Sequence, residues 1–483
     1  MTSRRAALLI LVVTAYRILM LALDRTDLFV DEAQYWMWSR ALAFGYYSKP
    51  PMIAWTIHAT TALGGFQSLF WIRLSSPLLH AATAALLIAL AGRLTGSDRI
   101  AGWTGAGFIT LPGVALSSIF ISTDTALLFF YALAMLLTVR LAECRSQPEE
   151  TRTSLPLAGG LGLSIGLGLL SKYAMVYFPA TAALAAWRLP QARIGWRHAA
   201  FAALLALVVL SPNLIWNAHH GGATLRHTSD NIGWTGLNLH IGKALEFLAA
   251  QFGVVGPVLF GAMIVGLCRV ARRSGNPVER QLVLLSWPII GLIVGQALMS
   301  RAYANWAATA YVAGIVLATL TLTNGWQRGL RASLAINGAV TLALPLLAAF
   351  PQTTVPGGQT PILARYLGRS ALSETLAARA KQAGLTTIVA GNRDILADLV
   401  YTLRDRPFTI RARPTGAPPL NAYEQDMTYD PARDAPRVLL ITEKPFACAS
   451  EGTATLPPIQ PTTGYLRGRT LFLSAASARC LIP

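Results

Sequence analysis

The sequence predicts a mainly α, polytopic membrane protein of about eleven transmembrane helices with a small C-terminal α/β domain outside the membrane. Three observations predict it. Of 483 residues, 54% are hydrophobic and only 13% charged, against about 25% charged in ordinary soluble proteins. Arginines gather in alternate loops between apolar runs. Near Pro351 the long apolar runs give way to charges, prolines and short apolar stretches. The net charge of +18 does not indicate nucleic acid, because much of it falls in short loops and follows the positive-inside pattern. Four cysteines without metal-ligand spacing exclude a disulfide scaffold.

The elements follow in order. Met1-Thr2-Ser3-Arg4-Arg5 precedes an apolar run without a small-residue cleavage site, so that run reads as a retained first span. Candidate spans are 6–23, 70–92, 100–119, 124–142, 155–171, 174–189, 199–216, 246–269, 281–299, 303–323 and 332–350. Each is read as long enough to cross about 30 Å of hydrocarbon at about 1.5 Å per residue. With a cytoplasmic N-terminus, inside loops hold Arg4, Arg5, Arg93, Arg99, Arg140, Arg145, Arg152, Arg188, Arg193, Arg197 and several more beyond Arg269, whereas outside loops hold few cations. This asymmetry predicts that the loop 24–75 and everything after the eleventh span lie outside. Residues 1–351 then form the membrane domain and 352–483 an outer domain.

In the outer domain Ala371–Ala383 and Arg393–Leu403 read as helices. Thr386–Ala390, Phe408–Ile410, Arg437–Thr442 and Thr470–Ser474 read as strands. Cys448 and Cys480 form either a disulfide, which an oxidising compartment permits, or two small buried thiols.

The loop 24–75 carries the densest chemistry, Val30-Asp31-Glu32-Ala33-Gln34-Tyr35-Trp36-Met37-Trp38 followed by Tyr46-Tyr47-Ser48-Lys49-Pro50-Pro51. Asp31–Arg40 reads as a short helix. An Asp at a helix start caps the N-terminus in the bland case. Here Glu32 follows it, and Gln34, Tyr35 and Trp38 share its face. Trp36, Met37 and Trp38 are expected to settle the helix in the interfacial belt, where a partly desolvated carboxylate gains basicity. Lys49, stiffened by the prolines after it, suits phosphate as a point charge; snorkelling to headgroups is the bland alternative.

Further candidates lie at the outer ends of later spans. Asp124 in Ser122-Thr123-Asp124-Thr125 is a helix cap or an ionisable functional group. Lys172 in Leu170-Ser171-Lys172-Tyr173 is a second phosphate contact or a snorkelling lysine. His219-His220 ends the seventh span near Asn213, Trp216 and Asn217, and suits hydrogen bonding to sugar or phosphate better than metal. Arg301 opens the tenth span with Tyr303, Asn305 and Trp306. The sequence holds no Walker A loop, dinucleotide fingerprint or serine nucleophile elbow. A membrane-carried activated group is therefore a better donor than a cytosolic nucleotide.

These motifs resemble the polytopic GT-C glycosyltransferases, in the branch of bacterial relatives of the protein O-mannosyltransferases that includes the lipid A aminoarabinose transferase. Asp31-Glu32-x-x-Tyr35 and Tyr46-Tyr47-Ser48-Lys49-Pro50 carry the resemblance, with Ser122-Thr123-Asp124, the Lys172 segment, Pro212–His220 and Ala304-Asn305-Trp306 in similar order. It covers about residues 1–320. Ser48 stands where the aminoarabinose enzyme has Glu, which puts the identity of the sugar in question. The resemblance implies inverting transfer of a sugar from a polyprenyl-phosphate donor to a glycolipid, lipopolysaccharide or protein acceptor, at the outer face of a bacterial inner membrane. It casts Asp31 as general base or acceptor-orienting group, with Glu32 behind it. Lys49, with Lys172 or Arg301, would neutralise the leaving phosphate, and Tyr35, Tyr46, Asp124 and His220 would line the pocket. No cofactor is implied, and a divalent metal is not predicted. A secondary transporter is the competing class, but the distinctive polar residues gather at one face rather than at the midplane.

Overall fold

The computed structural model describes residues 1–146, 151–233, 239–446, 448 and 453–481. The chain divides into two compact units. One comprises Met1–Ala22 and Lys49–Leu346, the other Leu23–Ser48 and Leu347–Pro483.

The first unit is helical. Among the described residues, seven helices are at least 18 residues long and apolar enough to cross a membrane. They are Ser3–Ala22, Leu69–Thr95, Thr123–Arg145, Ser154–Ser171, Trp196–His219, Pro277–Met299 and Gln327–Ala349. Local sequence sets their ends. Gly96 stops one helix in the left-handed region at φ 64°, where a residue without Cβ is unstrained. Before Pro277, Asn276 accepts the Glu279 N–H at 2.8 Å and Glu279 accepts the Asn276 N–H at 2.9 Å, a reciprocal cap. Thr151–Ser171 packs closely on Trp196–His219, where a Cβ at Gly162 would meet the Ala202 carbonyl oxygen at 2.6 Å. Small residues let two backbones approach where the apolar solvent gives helices little reason to associate.

Four expected spans take other forms. The 246–269 stretch is two helices, Ile241–Val255 and Pro257–Ala271, bent by 117°. Gly256 sits at the bend at φ 90°, and the following proline cannot donate into a continuous helix. The 100–119 stretch breaks into Asp98–Ile109 and Pro112–Ser117, again before a proline. The 174–189 stretch is a 3-10 turn, Tyr173–Val176, and a 12-residue helix, Tyr177–Arg188. The 303–323 stretch is a 3-10 turn, Ala304–Ala307, followed by Ala310–Asn324. Part of the expected outer loop is also helical: Met52–Gly64 buries Ile53, Ala54, Ile57 and Thr61.

The second unit is a five-stranded mixed sheet with helices. Its strands are β1 (Thr387–Ala390), β2 (Thr409–Ala412), β3 (Arg437–Thr442), β4 (Ala454–Ile459) and β5 (Leu471–Ser477), in the order β2-β1-β3-β5-β4. β1 runs parallel to β2 and β3, and β5 pairs antiparallel with β3 and β4. β1 is buried throughout, as a central parallel strand must be. Val389, Val438, Leu440 and Ala476 form a core with Tyr429 and Cys480. Cys448 and Cys480 form a disulfide. Arg369 and Asp398 are both buried and ion-paired at 3.0 Å, and Tyr465 donates to the same carboxylate at 2.8 Å. The segment Leu23–Ser48 belongs to this unit through the Val30–Ser39 helix, which packs on Arg393–Thr402. Trp36 meets Tyr401 edge-on at 5.0 Å and Trp38 stacks on Tyr46 at 4.8 Å. Trp36 and Trp38 are buried in protein rather than lying in an interfacial belt, Trp36 against Tyr401 of a C-terminal helix and Trp38 against Tyr46.

Candidate active site

The Val30–Ser39 helix divides its adjacent carboxylates. Glu32 is buried, and its Oε2 accepts the Phe29 N–H at 3.0 Å. The capping expected for Asp31 therefore falls to Glu32, at the third helical position, where a side chain reaches back to the first free N–H. Asp31 turns the other way. Its side chain is 46% exposed, and Oδ1 accepts from Arg393 Nη2 at 2.6 Å. The closest charged neighbour of Asp31 is thus a guanidinium. Burial would lower the Arg393 pKa, but the Asp31 charge and hydrogen bond raise it more, so the cation is retained. Arg393 Nε donates to Gln34 Oε1 at 3.1 Å, and Gln34 Nε2 donates to Ser48 Oγ at 3.3 Å. One polar chain thus joins Asp31, Arg393, Gln34 and the buried Ser48.

Tyr35 and Tyr46 take structural places in this unit. Tyr35 is buried with its ring 5.7 Å from Trp38. The Tyr46 hydroxyl accepts the Ala43 N–H at 3.0 Å and faces the Trp38 and Ala41 carbonyls at 3.1 and 3.0 Å. Burial pushes this phenol up to about 12, against the Ala43 hydrogen bond. Its hydroxyl closes the loop after the helix. Lys49 lies in the other unit, half-buried at the turn before Met52–Gly64.

Three motifs of the first unit meet at Asp124, at the start of the Thr123–Ser146 helix. Lys172 Nζ donates to Oδ1 at 2.7 Å, and Asn305 Nδ2 donates to Oδ2 at 2.7 Å. The Lys172 charge is therefore compensated. Its ammonium keeps two further N–H groups for other acceptors. Beside it, the Tyr173 hydroxyl donates to Asn213 Oδ1 at 2.8 Å and accepts from Asn217 Nδ2 at 3.3 Å. His220 is not brought into this cluster. It is exposed, stacked on Trp216 at 4.0 Å and bonded to the Trp216 carbonyl at 2.8 Å. Arg301 is exposed with its guanidinium 5.8 Å from the Tyr303 ring. Among the described residues no cluster of three or more His, Cys, Asp and Glu has the arrangement of a metal site.

Sequence reasoning missed Arg393 and gave Asn305 no role beyond its motif. Arg393 carried one local signal. A cation at the first position of a helix opposes the helix dipole, so a specific anionic partner had to offset it.

The fold and the relatives of the chain are those of a polytopic membrane glycosyltransferase of GT-C architecture. The structure of ArnT from Cupriavidus metallidurans bound to undecaprenyl phosphate superposes with a TM-score of 0.66 at 14% identity, covering 99% of both chains. The family model described as dolichyl-phosphate-mannose-protein mannosyltransferase matches residues 48–216. The lipid A galacturonosyltransferase RgtD of Rhizobium johnstonii is 47% identical over the full length of both chains. The lipopolysaccharide core galacturonosyltransferase RgtA of the same organism is 30% identical over 44% of this chain and 42% of its own. The chain belongs to the membrane glycosyltransferase family of RgtD, and it is a multi-pass membrane protein.

Proposed function

We propose that this enzyme transfers a uronic acid residue from a polyprenyl-phosphate carrier to a lipid A-type glycolipid at the outer face of a bacterial inner membrane. The observation that carries the reading is full-length similarity to a lipid A galacturonosyltransferase. The ArnT fold, solved with undecaprenyl phosphate, supports the carrier, and the distribution of arginines supports the outer location. In this reading Asp31 Oδ2 accepts the proton of the attacking acceptor hydroxyl while Arg393 holds Oδ1. The acceptor oxygen bonds to the anomeric carbon, the bond from that carbon to the phosphate oxygen breaks, and polyprenyl phosphate leaves with the electron pair. Configuration inverts in this single displacement. Lys49 stabilises the growing charge on the phosphate, where fixed cations lower the barrier most. The Asp124-Lys172-Asn305 cluster presents the remaining Lys172 N–H groups. The neutral Ser48 suits an anionic sugar: a carboxylate there would repel the sugar carboxylate.

The test supplies purified protein with polyprenyl-phosphate galacturonic acid or polyprenyl-phosphate hexoses, together with lipid A or a Ser/Thr-rich peptide, and reads products by mass spectrometry. A hexuronosyl-lipid A product is expected. Transfer only to peptide, or only from neutral donors, overturns the reading.

A further inference from the structure

The second unit contains a cavity that the proposed chemistry does not use. It has a volume of about 420 Å³ and lies at the carboxyl ends of β1 and β3. Gly391 and Asn392 follow β1, Thr442 ends β3, and Glu443 to Phe446 follow it. The position has a topological cause. From β1 the chain crosses to β2 on one side, then returns past β1 to β3 on the other. The two connections diverge and leave a crevice between adjacent parallel strands, the usual place for a ligand in an open α/β sheet.

The lining has a distinct chemistry. Arg413 and Lys444 contribute two cations, and the Arg413 guanidinium lies 5.1 Å from the Phe446 ring centre. Ile395 and Ile441 supply a buried apolar floor. The acidic lining residue Glu443 is already engaged: it accepts from Asn392 Nδ2 at 2.8 Å and lies 3.7 Å from Arg469. Asn392 also caps the Arg393–Thr402 helix, its Oδ1 accepting the Asp394 and Ile395 N–H groups. The helix end is thus closed, and the side-chain cations are left to meet an anion. A phenyl face beside guanidinium and ammonium groups suits a sugar ring bearing phosphate, with its C–H face on Phe446 and its charge between Arg413 and Lys444. The volume falls within the usual range for small-ligand sites, about 300–1,000 Å³.

We propose that this cavity binds the phosphorylated sugar headgroup of a glycolipid and so captures the acceptor away from the reacting atoms. The identity of that glycolipid as acceptor rests on the function proposed above; the binding itself does not. The test uses full-length protein in detergent and measures calorimetrically the binding of three probes: deacylated glucosamine disaccharide bisphosphate, the same disaccharide without phosphate, and inorganic phosphate. The bisphosphate is expected to bind at least about tenfold more tightly than either other probe. Arg413→Ala and Lys444→Glu should each weaken it by about tenfold or more, whereas Asp31→Asn should bind it as wild type does. Lys444 is exposed, so its replacement tests charge without disturbing the core. Undiminished binding by folded Lys444→Glu and Arg413→Ala proteins overturns the site. Equal affinity for inorganic phosphate overturns the sugar specificity. If no sugar transfer is detected but bisphosphate binding retains these dependences, the proposed reaction fails and the site stands.

Discussion

Asp31 and Glu32 stand side by side on one helix, yet one caps it and the other meets a guanidinium from a distant part of the chain. Exchanging each for its amide should separate the two roles. Asp31→Asn is expected to lower kcat by about 10²-fold or more with little change in thermal unfolding. Glu32→Gln should cost on the order of 1 kcal/mol of stability and leave most of kcat. A parallel kinetic and unfolding comparison of the two variants checks both. Equal kinetic losses would remove the distinction. Ser48→Glu should raise the KM for a uronic acid donor and spare binding of a neutral lipid-linked sugar, since the added carboxylate repels only the charged substrate. Donor KM values for the two sugars decide it.

Among elements, the helices of the second unit are tied down by ion pairs of unequal weight. Arg369 and Asp398 are each only 2% exposed. Asp398→Ala would strand a buried cation, at a cost of about 3–5 kcal/mol, readable as a lowered unfolding midpoint. A deficit below about 1 kcal/mol would refute that weight. Asp434 gives a pH dependence. Burial pushes its carboxyl up, but the hydrogen bond from Arg411, that from the Asp430 N–H and the Arg411 charge pull it below the usual range. Its contribution is therefore present above the ordinary carboxylate pKa of about 3.9 and is lost as pH falls through the lowered value. Acid unfolding of Asp434→Asn should lack that component of the wild-type profile. Elements with a strong local pattern were legible in the sequence: β3 was read at its actual bounds, and the two longer C-terminal helices were read to within a few residues, whereas the five-residue helix Ala422–Asp426 was not read. β4 was not, because Pro457 and Pro458 lie within it; prolines remove ladder donors and argue against a strand, and its register shifts between Leu456 and Ile459. The Asp124-Lys172-Asn305 meeting was legible only as separate motifs, since spacing along helices does not specify which ends converge. Arg393 was hidden more deeply, 362 residues from Asp31.

For the whole molecule, the chain groups with a division at Leu346 and Leu347, close to the cut expected near residue 351, and Leu23–Ser48 joins the C-terminal unit. The disulfide adds a covalent closure, joining cysteines 32 residues apart. The sequence left that pairing open because both thiols and disulfides satisfy a small buried site. The Cys448→Ser/Cys480→Ser protein should lose about 3–4 kcal/mol, measured as a lower unfolding midpoint under oxidising conditions. Unchanged stability after clean removal of the bond would show that the unit does not depend on it.

The discontinuous second unit also has a consequence for synthesis. At about 5–20 residues per second, a ribosome needs roughly 20–70 s to travel from Asp31 to Arg393. Throughout that interval Trp36 and Trp38 have been made and the helix that will bury Trp36 has not. The early segment is therefore a nascent-chain hazard, open to proteolysis or to a chaperone before its own chain can reclaim it.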